Sequence, residues 1–167
     1  LFFSRRNVKA NCEARDAVPR WTDACPLPVL GISMMLGFGA VSAPLVLPMY
    51  RGVVPFFGWY VDGLAGVAIT LLTAVAAAWA AREAYRVRVA GWWVALVVPA
   101  SWMLSTTVTV ARGGLVAMYE RMGFPEADLE MVRQVPILQH PALWLLLLAC
   151  WLPVLLYLLW ARKFFRS

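Results

Sequence analysis

Two side chains at the ends of long apolar runs are of types that carry chemistry, Asp62 and His140. A carboxylate inside a bilayer can bind protons or cations, whereas one at the membrane boundary can cap a helix, so both roles are open for Asp62. His140 is the single histidine of the chain. Its imidazole could be an axial ligand of haem or chlorophyll, or an interfacial side chain with its ring in water. We therefore treat Asp62 as the candidate ion or proton site and His140 as the candidate cofactor ligand.

Nucleophilic and metal-dependent catalysis are not expected from the remaining residues. Ser101, Ser105 and Cys150 lie in apolar segments that contain no histidine or lysine to act as a base. Cys12, Cys25 and Cys150 form no CxxC pair, and free thiols are expected. No Walker loop, dinucleotide-binding glycine pattern or HExxH sequence occurs. The sequence thus favours a non-catalytic protein without a metal site.

The composition is that of an integral membrane protein. Of the 167 residues, 62% are hydrophobic and 14% are charged, against about 45–50% and 25% in a soluble domain. The net charge is +6, but the basic residues cluster beside the apolar runs and belong to no nucleic-acid-binding motif. The predicted partner is therefore the lipid bilayer, and no nucleic acid is expected.

The apolar runs predict an all-α fold with four transmembrane helices. Each run has the roughly 20 residues that are needed to cross a bilayer. A basic segment, residues 1–26, precedes a transmembrane domain at 27–167, and an aromatic stretch, residues 51–60, is expected to connect the first two helices at the headgroup level. The predicted spans are 27–49, 61–81, 90–110 and 141–160.

The long outer loop, residues 111–140, is predicted to form a short amphipathic helical hairpin on the outer membrane surface. Its apolar side chains recur at spacings of three and four residues, which places them on one face of a helix. A second short helix is expected to start near Pro125, which suits a helix beginning, and to end before Pro136. The apolar residues of the first helix are Leu115, Met118, Tyr119 and Met122.

The distribution of lysine and arginine predicts that both termini are cytoplasmic. The N-terminal segment, the connection between spans two and three and the C-terminal tail hold eleven of these residues, and the opposite side holds Arg51, Arg112, Arg121 and Arg133. The basic tail with its Phe-Phe pair and the predicted hairpin before a Leu-rich last helix resemble bacterial multi-pass proteins, which implies an inner-membrane location. The eleven residues are Arg5, Arg6, Lys9, Arg15, Arg20, Arg82, Arg86, Arg88, Arg162, Lys163 and Arg166.

A ridge of mostly small residues on span two predicts close helix packing. Residues four apart share a helix face, and small side chains let a second backbone approach that face. Small residues on span one make it the expected neighbour. The ridge comprises Gly58, Asp62, Gly66, Thr70, Ala74 and Ala78, and the small pairs of span one are Ser33 with Gly37 and Gly39 with Ala43.

Three functions remain open at this point. The first is a non-catalytic structural or assembly subunit of a larger membrane complex, with other membrane proteins as partners. The second is a small oligomeric transporter or channel in which Asp62 and the hydroxyls of span three line a polar path. The third is an electron-transfer subunit with a haem or chlorophyll on His140.

Overall fold

The computed structural model describes residues 21–135 and 143–165. Four of its helices are long and apolar enough to cross a membrane, which confirms the predicted number. A two-stranded sheet and one short helix accompany them. The elements are α1 (Leu27–Tyr50), β1 (Val54–Phe56), β2 (Trp59–Val61), α2 (Gly63–Tyr85), α3 (Val89–Met122), α4 (Glu126–Arg133) and α5 (Leu143–Ala161), with 3-10 turns at Trp21–Ala24 and Arg162–Phe164.

The third helix is longer than predicted. It continues to Met122 through a break at Gly114, whose φ of 73° and ψ of 162° are not helical. Glycine adopts such a backbone conformation without a Cβ penalty. The first helix of the predicted outer hairpin is therefore the end of α3, not a separate element. The second is α4, and the position of both on a membrane surface remains a prediction.

Residues 51–60 contain a β-strand and a turn where only an interfacial connection was expected. Val54 pairs with Val61, and Phe56 pairs with Trp59 in an antiparallel hairpin. The two turn residues, Phe57 and Gly58, have φ values of 44° and 99°. Two successive positive φ values match the twist of hairpin strands. Phenylalanine rarely adopts such a φ, so Phe57 is an unusual residue at the first position of this turn.

A cluster of buried apolar residues lies at one end of the bundle, which we call the closed end. Here α1 begins, α2 turns into α3, and α5 ends. Since α1 packs on α2, α2 on α3 and α3 on α5, neighbours in sequence are also neighbours in space. The core residues are Cys25, Val29, Leu30, Ile32, Leu36, Ala80, Ala81, Ala84, Trp92, Ala95, Leu158, Ala161 and Phe165.

Three hydrogen bonds between helices join the closed end. The Ser33 hydroxyl donates to the Ala81 carbonyl oxygen at 2.7 Å and links α1 to α2. The indole N–H of Trp92 donates to the Leu158 carbonyl oxygen at 2.7 Å and links α3 to α5. The Tyr157 hydroxyl donates to the carbonyl oxygen of Pro28 at 2.9 Å and closes the ring back to α1.

Substitution of Gly91 tests the packing of the closed end. A Cβ at Gly91 would lie 2.5 Å from the backbone nitrogen of Ala84, so the α2 and α3 backbones would have to separate. We expect Gly91→Ala to lower the free energy of unfolding by about 1–3 kcal/mol, as overpacking does. The measurement is an SDS titration of the protein in mild detergent, followed by circular dichroism.

Gly37→Ala is the matched control for this substitution. Gly37 is also helical, but a Cβ there would meet nothing within 4 Å. The free energy of unfolding of Gly37→Ala should equal that of the wild-type protein or exceed it by less than about 1 kcal/mol, because alanine favours a helix more than glycine does. Equal losses in the two variants would contradict the described packing.

Candidate functional site

The end of the bundle opposite the closed end, which we call the open end, is organised by the β-hairpin. The tip of the hairpin docks on two hydroxyls of α3. The backbone N–H of Phe57 donates to Ser105 Oγ at 2.9 Å, and that of Gly58 donates to Thr109 Oγ1 at 2.9 Å. The Ser105 hydroxyl in turn donates to the carbonyl oxygen of Pro55 at 2.9 Å. Each hydroxyl oxygen thus serves as the hydrogen-bond acceptor for a backbone N–H group that would otherwise bond to water.

The hairpin reaches far along the bundle. Ser105 lies 16 residues into α3, about 24 Å from its start at the helical rise of 1.5 Å per residue. Phe56 and Phe57 line a groove of about 290 Å³ together with side chains of α2 and α3, including Ala76 and Val97. Since α2 has 23 residues and is about 34 Å long, the tip lies about 10 Å inside the start of α2 at the open end.

Tyr60 and Arg121 hold the base of the hairpin, and Arg112 covers its tip. The Tyr60 hydroxyl donates to the Gly114 carbonyl oxygen at the break in α3, at 2.5 Å. Burial raises the pKa of Tyr60, and the positive charge of Arg121 acts in the opposite direction. The guanidinium of Arg112 covers the turn and would contact any Cβ at Gly58.

Gly66 is the point of closest backbone approach on the predicted ridge. The carbonyl oxygen of Gly52 occupies the place that a Cβ of Gly66 would take. The approaching backbone therefore belongs to the loop before the hairpin and not to a helix. Gly52 itself has a φ of 70° and would be strained by any side chain.

The other ridge residues have different environments. Thr70 and Ala74 are buried, and the Thr70 hydroxyl donates to the Gly66 carbonyl oxygen at 2.9 Å within α2. Ala78 is exposed, and buried alanines one residue before it and two after it form the packed face instead. Gly58 lies in the hairpin turn, outside α2.

The small residues of α1 do not all contact another helix. Ser33 bonds to α2, as described above. A Cβ at Gly37 or at Gly39 would meet nothing within 4 Å. Gly39 and Ala43 instead line a large cavity.

Asp62 lies at the surface of the open end, immediately before α2. Its carboxylate makes no side-chain hydrogen bond to the start of the helix. One of its oxygens, Oδ2, lies 3.8 Å from Nη1 of Arg121, and the Asp62 side chain is 65% exposed. Arg121 also donates to the Tyr60 carbonyl oxygen at 2.9 Å. Asp62 is thus one member of a polar contact between the hairpin and the end of α3.

Arg133 ties α4 to the end of α3. Its guanidinium bonds Glu126 at 2.7 Å and Glu130 at 3.1 Å within α4, and Glu120 of α3 at 2.9 Å. The hydrogen bonds that Arg133 donates to these carboxylates, that to Glu126 first, raise the pKa of Arg133. Since all four side chains are exposed to solvent, we assign this network a role in orientation more than in stability.

A cavity of about 520 Å³ lies beneath the hairpin between α1, α2 and α3. Its walls are apolar, with Met35, Val98 and Trp102 in the deeper part. The end of α3 beyond Gly114 forms its roof, so Met118, Tyr119 and Met122 point their apolar face into the cavity. These are the residues for which the sequence predicted a membrane-surface helix.

The candidate cofactor ligand, His140, lies outside the described residues. Among residues 21–135 and 143–165, no group of three or more histidine, cysteine or acidic side chains could hold a metal ion. Cys25 is buried, and burial raises the pKa of its thiol. Comparison with known proteins finds no matching family model, curated protein or solved structure.

Sequence reasoning missed the partners of the hydroxyls in α3. It considered the hydroxyls of span three as partners of freed carbonyls or of a neighbouring helix, or as the lining of an ion path, and not as partners of a hairpin. The available signal was the pair Phe57-Gly58, because a glycine at the second position of a two-residue turn is typical of a hairpin. The role of Gly91 was also missed, because it depends on where α2 and α3 cross.

Removal of the Ser105 hydroxyl should loosen the hairpin. Ser105→Ala leaves the Phe57 N–H in an apolar groove without its acceptor, which costs about 1–3 kcal/mol. We expect the Phe57 amide to exchange with deuterium roughly 5- to 150-fold faster, as measured by NMR or mass spectrometry. Thr109→Val should have the same effect on the Gly58 amide.

Ser101→Ala is the matched control for Ser105→Ala. Ser101 lies one turn earlier on α3 and lines the same groove, but it makes no recorded hydrogen bond to the hairpin. Exchange at Phe57 should be unchanged in this variant. Unchanged exchange in Ser105→Ala as well would mean that the hydroxyl does not hold the hairpin.

Proposed function

We propose that this chain is a non-catalytic multi-pass membrane protein that serves as a structural or assembly subunit of a larger membrane complex. The observation that carries the proposal is the use of polar groups within the bundle. Ser105 and Thr109 bond the hairpin backbone, and Ser33 and Trp92 bond helix carbonyls. These groups hold the architecture together and leave an ordered hairpin and α4 as surfaces for other proteins.

The docking of the hairpin supports insertion in a bilayer. Non-helical backbone at membrane depth is tolerated only where protein groups satisfy its N–H and C=O groups. The Ser105 and Thr109 hydroxyls meet this requirement at the tip. Phe56 and Phe57 remain partly exposed beside them, as suits side chains that face lipid. We therefore infer that the hairpin re-enters the membrane from the open end.

The orientation we propose places the closed end on the cytoplasmic side of a bacterial inner membrane. The closed end holds Arg82, Arg86 and Arg88, and both ends of the described chain lie there. Lysine and arginine are enriched in cytoplasmic loops. The open end, with the hairpin and α4, would then face outward.

Labelling of introduced cysteines tests this orientation. In a chain whose three cysteines are replaced by serine, we expect a membrane-impermeant maleimide to label Met131→Cys in intact cells, because Met131 of α4 is 66% exposed. Arg86→Cys, at the closed end, should be labelled only after the cells are permeabilised. The reverse pattern would contradict the proposed orientation.

Native mass spectrometry from the source membrane tests the subunit role. After extraction in mild detergent, we expect the chain to be recovered with other membrane proteins in fixed stoichiometry. An unrelated four-helix protein with the same affinity tag serves as the control for carry-over. Recovery of the chain alone would contradict the proposal.

The transport alternative has less support from the geometry. Two hydroxyls of α3 are bonded to the hairpin, and Asp62 lies at the surface beside Arg121. We expect Asp62→Ala to leave proton and cation flux into protein-containing liposomes unchanged. Flux that the wild-type protein supports and Asp62→Ala loses would favour the transporter. The electron-transfer alternative is tested separately, by the visible absorption spectrum of the purified protein.

A further inference from the structure

The 520 Å³ cavity is long enough for one lipid chain. Its lining follows α1 from Met35 to Tyr50, which is about 22 Å at helical rise. One lipid chain fills half of the hydrocarbon core, roughly 15 Å. The apolar lining therefore exceeds the length that a single acyl chain needs.

The side of the cavity between α1 and α5 faces the surrounding lipid. These two helices meet at the closed end, where Tyr157 contacts Pro28 and lies against Gly31. Further along, Trp151 is the residue of α5 that lines the cavity. Since α5 packs mainly on α3, a chain from the bilayer can enter between α1 and α5 without separating packed helices.

A positive charge stands at the outer rim of the cavity. Arg51 directly follows the lining residue Tyr50, and its Nη1 atom occupies the space where a Cβ of Gly123 would be, next to the lining residue Met122. Within the described part of the chain, the Arg51 guanidinium has neither a hydrogen bond nor an ion pair. This distinguishes it from Arg121 and Arg133, which are paired with carboxylates.

The backbone at Arg51 also indicates a role for its side chain. Arg51 ends α1 in the left-handed conformation, with a φ of 48°. Glycine or asparagine usually takes this position, because other residues are strained there. An arginine at this site, followed at once by Gly52, points its guanidinium across the cavity mouth towards the end of α3.

We propose that the cavity binds one anionic phospholipid of the surrounding bilayer, with an acyl chain between α1, α2 and α3 and the phosphate on Arg51. Arginine binds phosphate oxygens through charge-assisted hydrogen bonds, which supplies the charge complementarity. The apolar walls hold the chain, and the end of α3 beyond Gly114 covers it. This inference does not depend on whether the protein is a subunit of a complex.

Native mass spectrometry of the protein ejected from nanodiscs tests the proposal. The nanodiscs contain equal parts of phosphatidylcholine and phosphatidylglycerol, which carry the same acyl chains. We expect the wild-type protein to retain one phospholipid and to prefer phosphatidylglycerol. In Arg51→Gln this preference should fall about tenfold, because the net negative charge of phosphatidylglycerol loses its cationic partner, whereas the choline group already neutralises the phosphate of phosphatidylcholine.

Three further variants separate the cavity from general lipid contact. Gly39→Leu places four additional carbons inside the cavity and should lower retention of both lipids, whereas Gly37→Leu, on the same helix but outside the lining, should not. Arg112→Gln removes another unpaired, exposed arginine of the open end and should keep the preference. Circular dichroism and the melting temperature show whether each variant is folded.

Several outcomes would overturn the proposal. If Arg112→Gln and Arg51→Gln lost the preference for phosphatidylglycerol equally, that preference would come from the general positive charge of the open end. Unchanged retention of lipid in Gly39→Leu would place the lipid elsewhere. A bound mass that corresponds to a neutral isoprenoid, a detergent or a peptide would identify a different occupant. A loss of stability in Arg51→Gln without any change in lipid preference would show that Arg51 only stabilises the end of α3.

Discussion

A backbone N–H group that is removed from water must find another acceptor, and the tip of the β-hairpin meets this constraint with two hydroxyls of α3. Ser105 and Thr109 accept hydrogen bonds from the amides of Phe57 and Gly58, so the hairpin can lie against α3. The rest of the open end depends on this contact. The hairpin supplies Val54 and Pro55 to the cavity wall, and Val53 directly before it also lines the cavity.

The two ends of the bundle therefore differ in kind. At the closed end, alanines and Gly91 allow backbones to approach, and hydrogen bonds between helices fix their positions. At the open end, the inserted hairpin separates the helices, and the end of α3 bends over the gap at Gly114. A bundle with this shape has rigid anchorage on one side and an accessible apolar interior on the other. Subunit assembly and lipid binding can coexist in such a protein.

The charged groups of the open end fall into two sets. Arg121 and Arg133 pair with carboxylates and orient the hairpin and α4 relative to α3. Arg51 and Arg112 have no such partner within the described residues. Arg112 covers the hairpin turn, whereas Arg51 stands at the cavity rim. The count of basic residues predicts only that all four arginines lie on the outer side of a membrane. Their contacts in the structure distinguish them from one another.

The sequence by itself determined the four long apolar helices, because length and hydropathy are local properties of the chain. It also indicated a close backbone approach at Gly66, because small residues four apart share a face. Only the tertiary structure decided which backbone approaches there, namely the Gly52 loop. The partners of Ser105, the continuation of α3 past Gly114 and the cavity were likewise decided in three dimensions. Each depends on contacts between segments some fifty residues apart, such as Phe57 and Ser105, which local pattern does not encode.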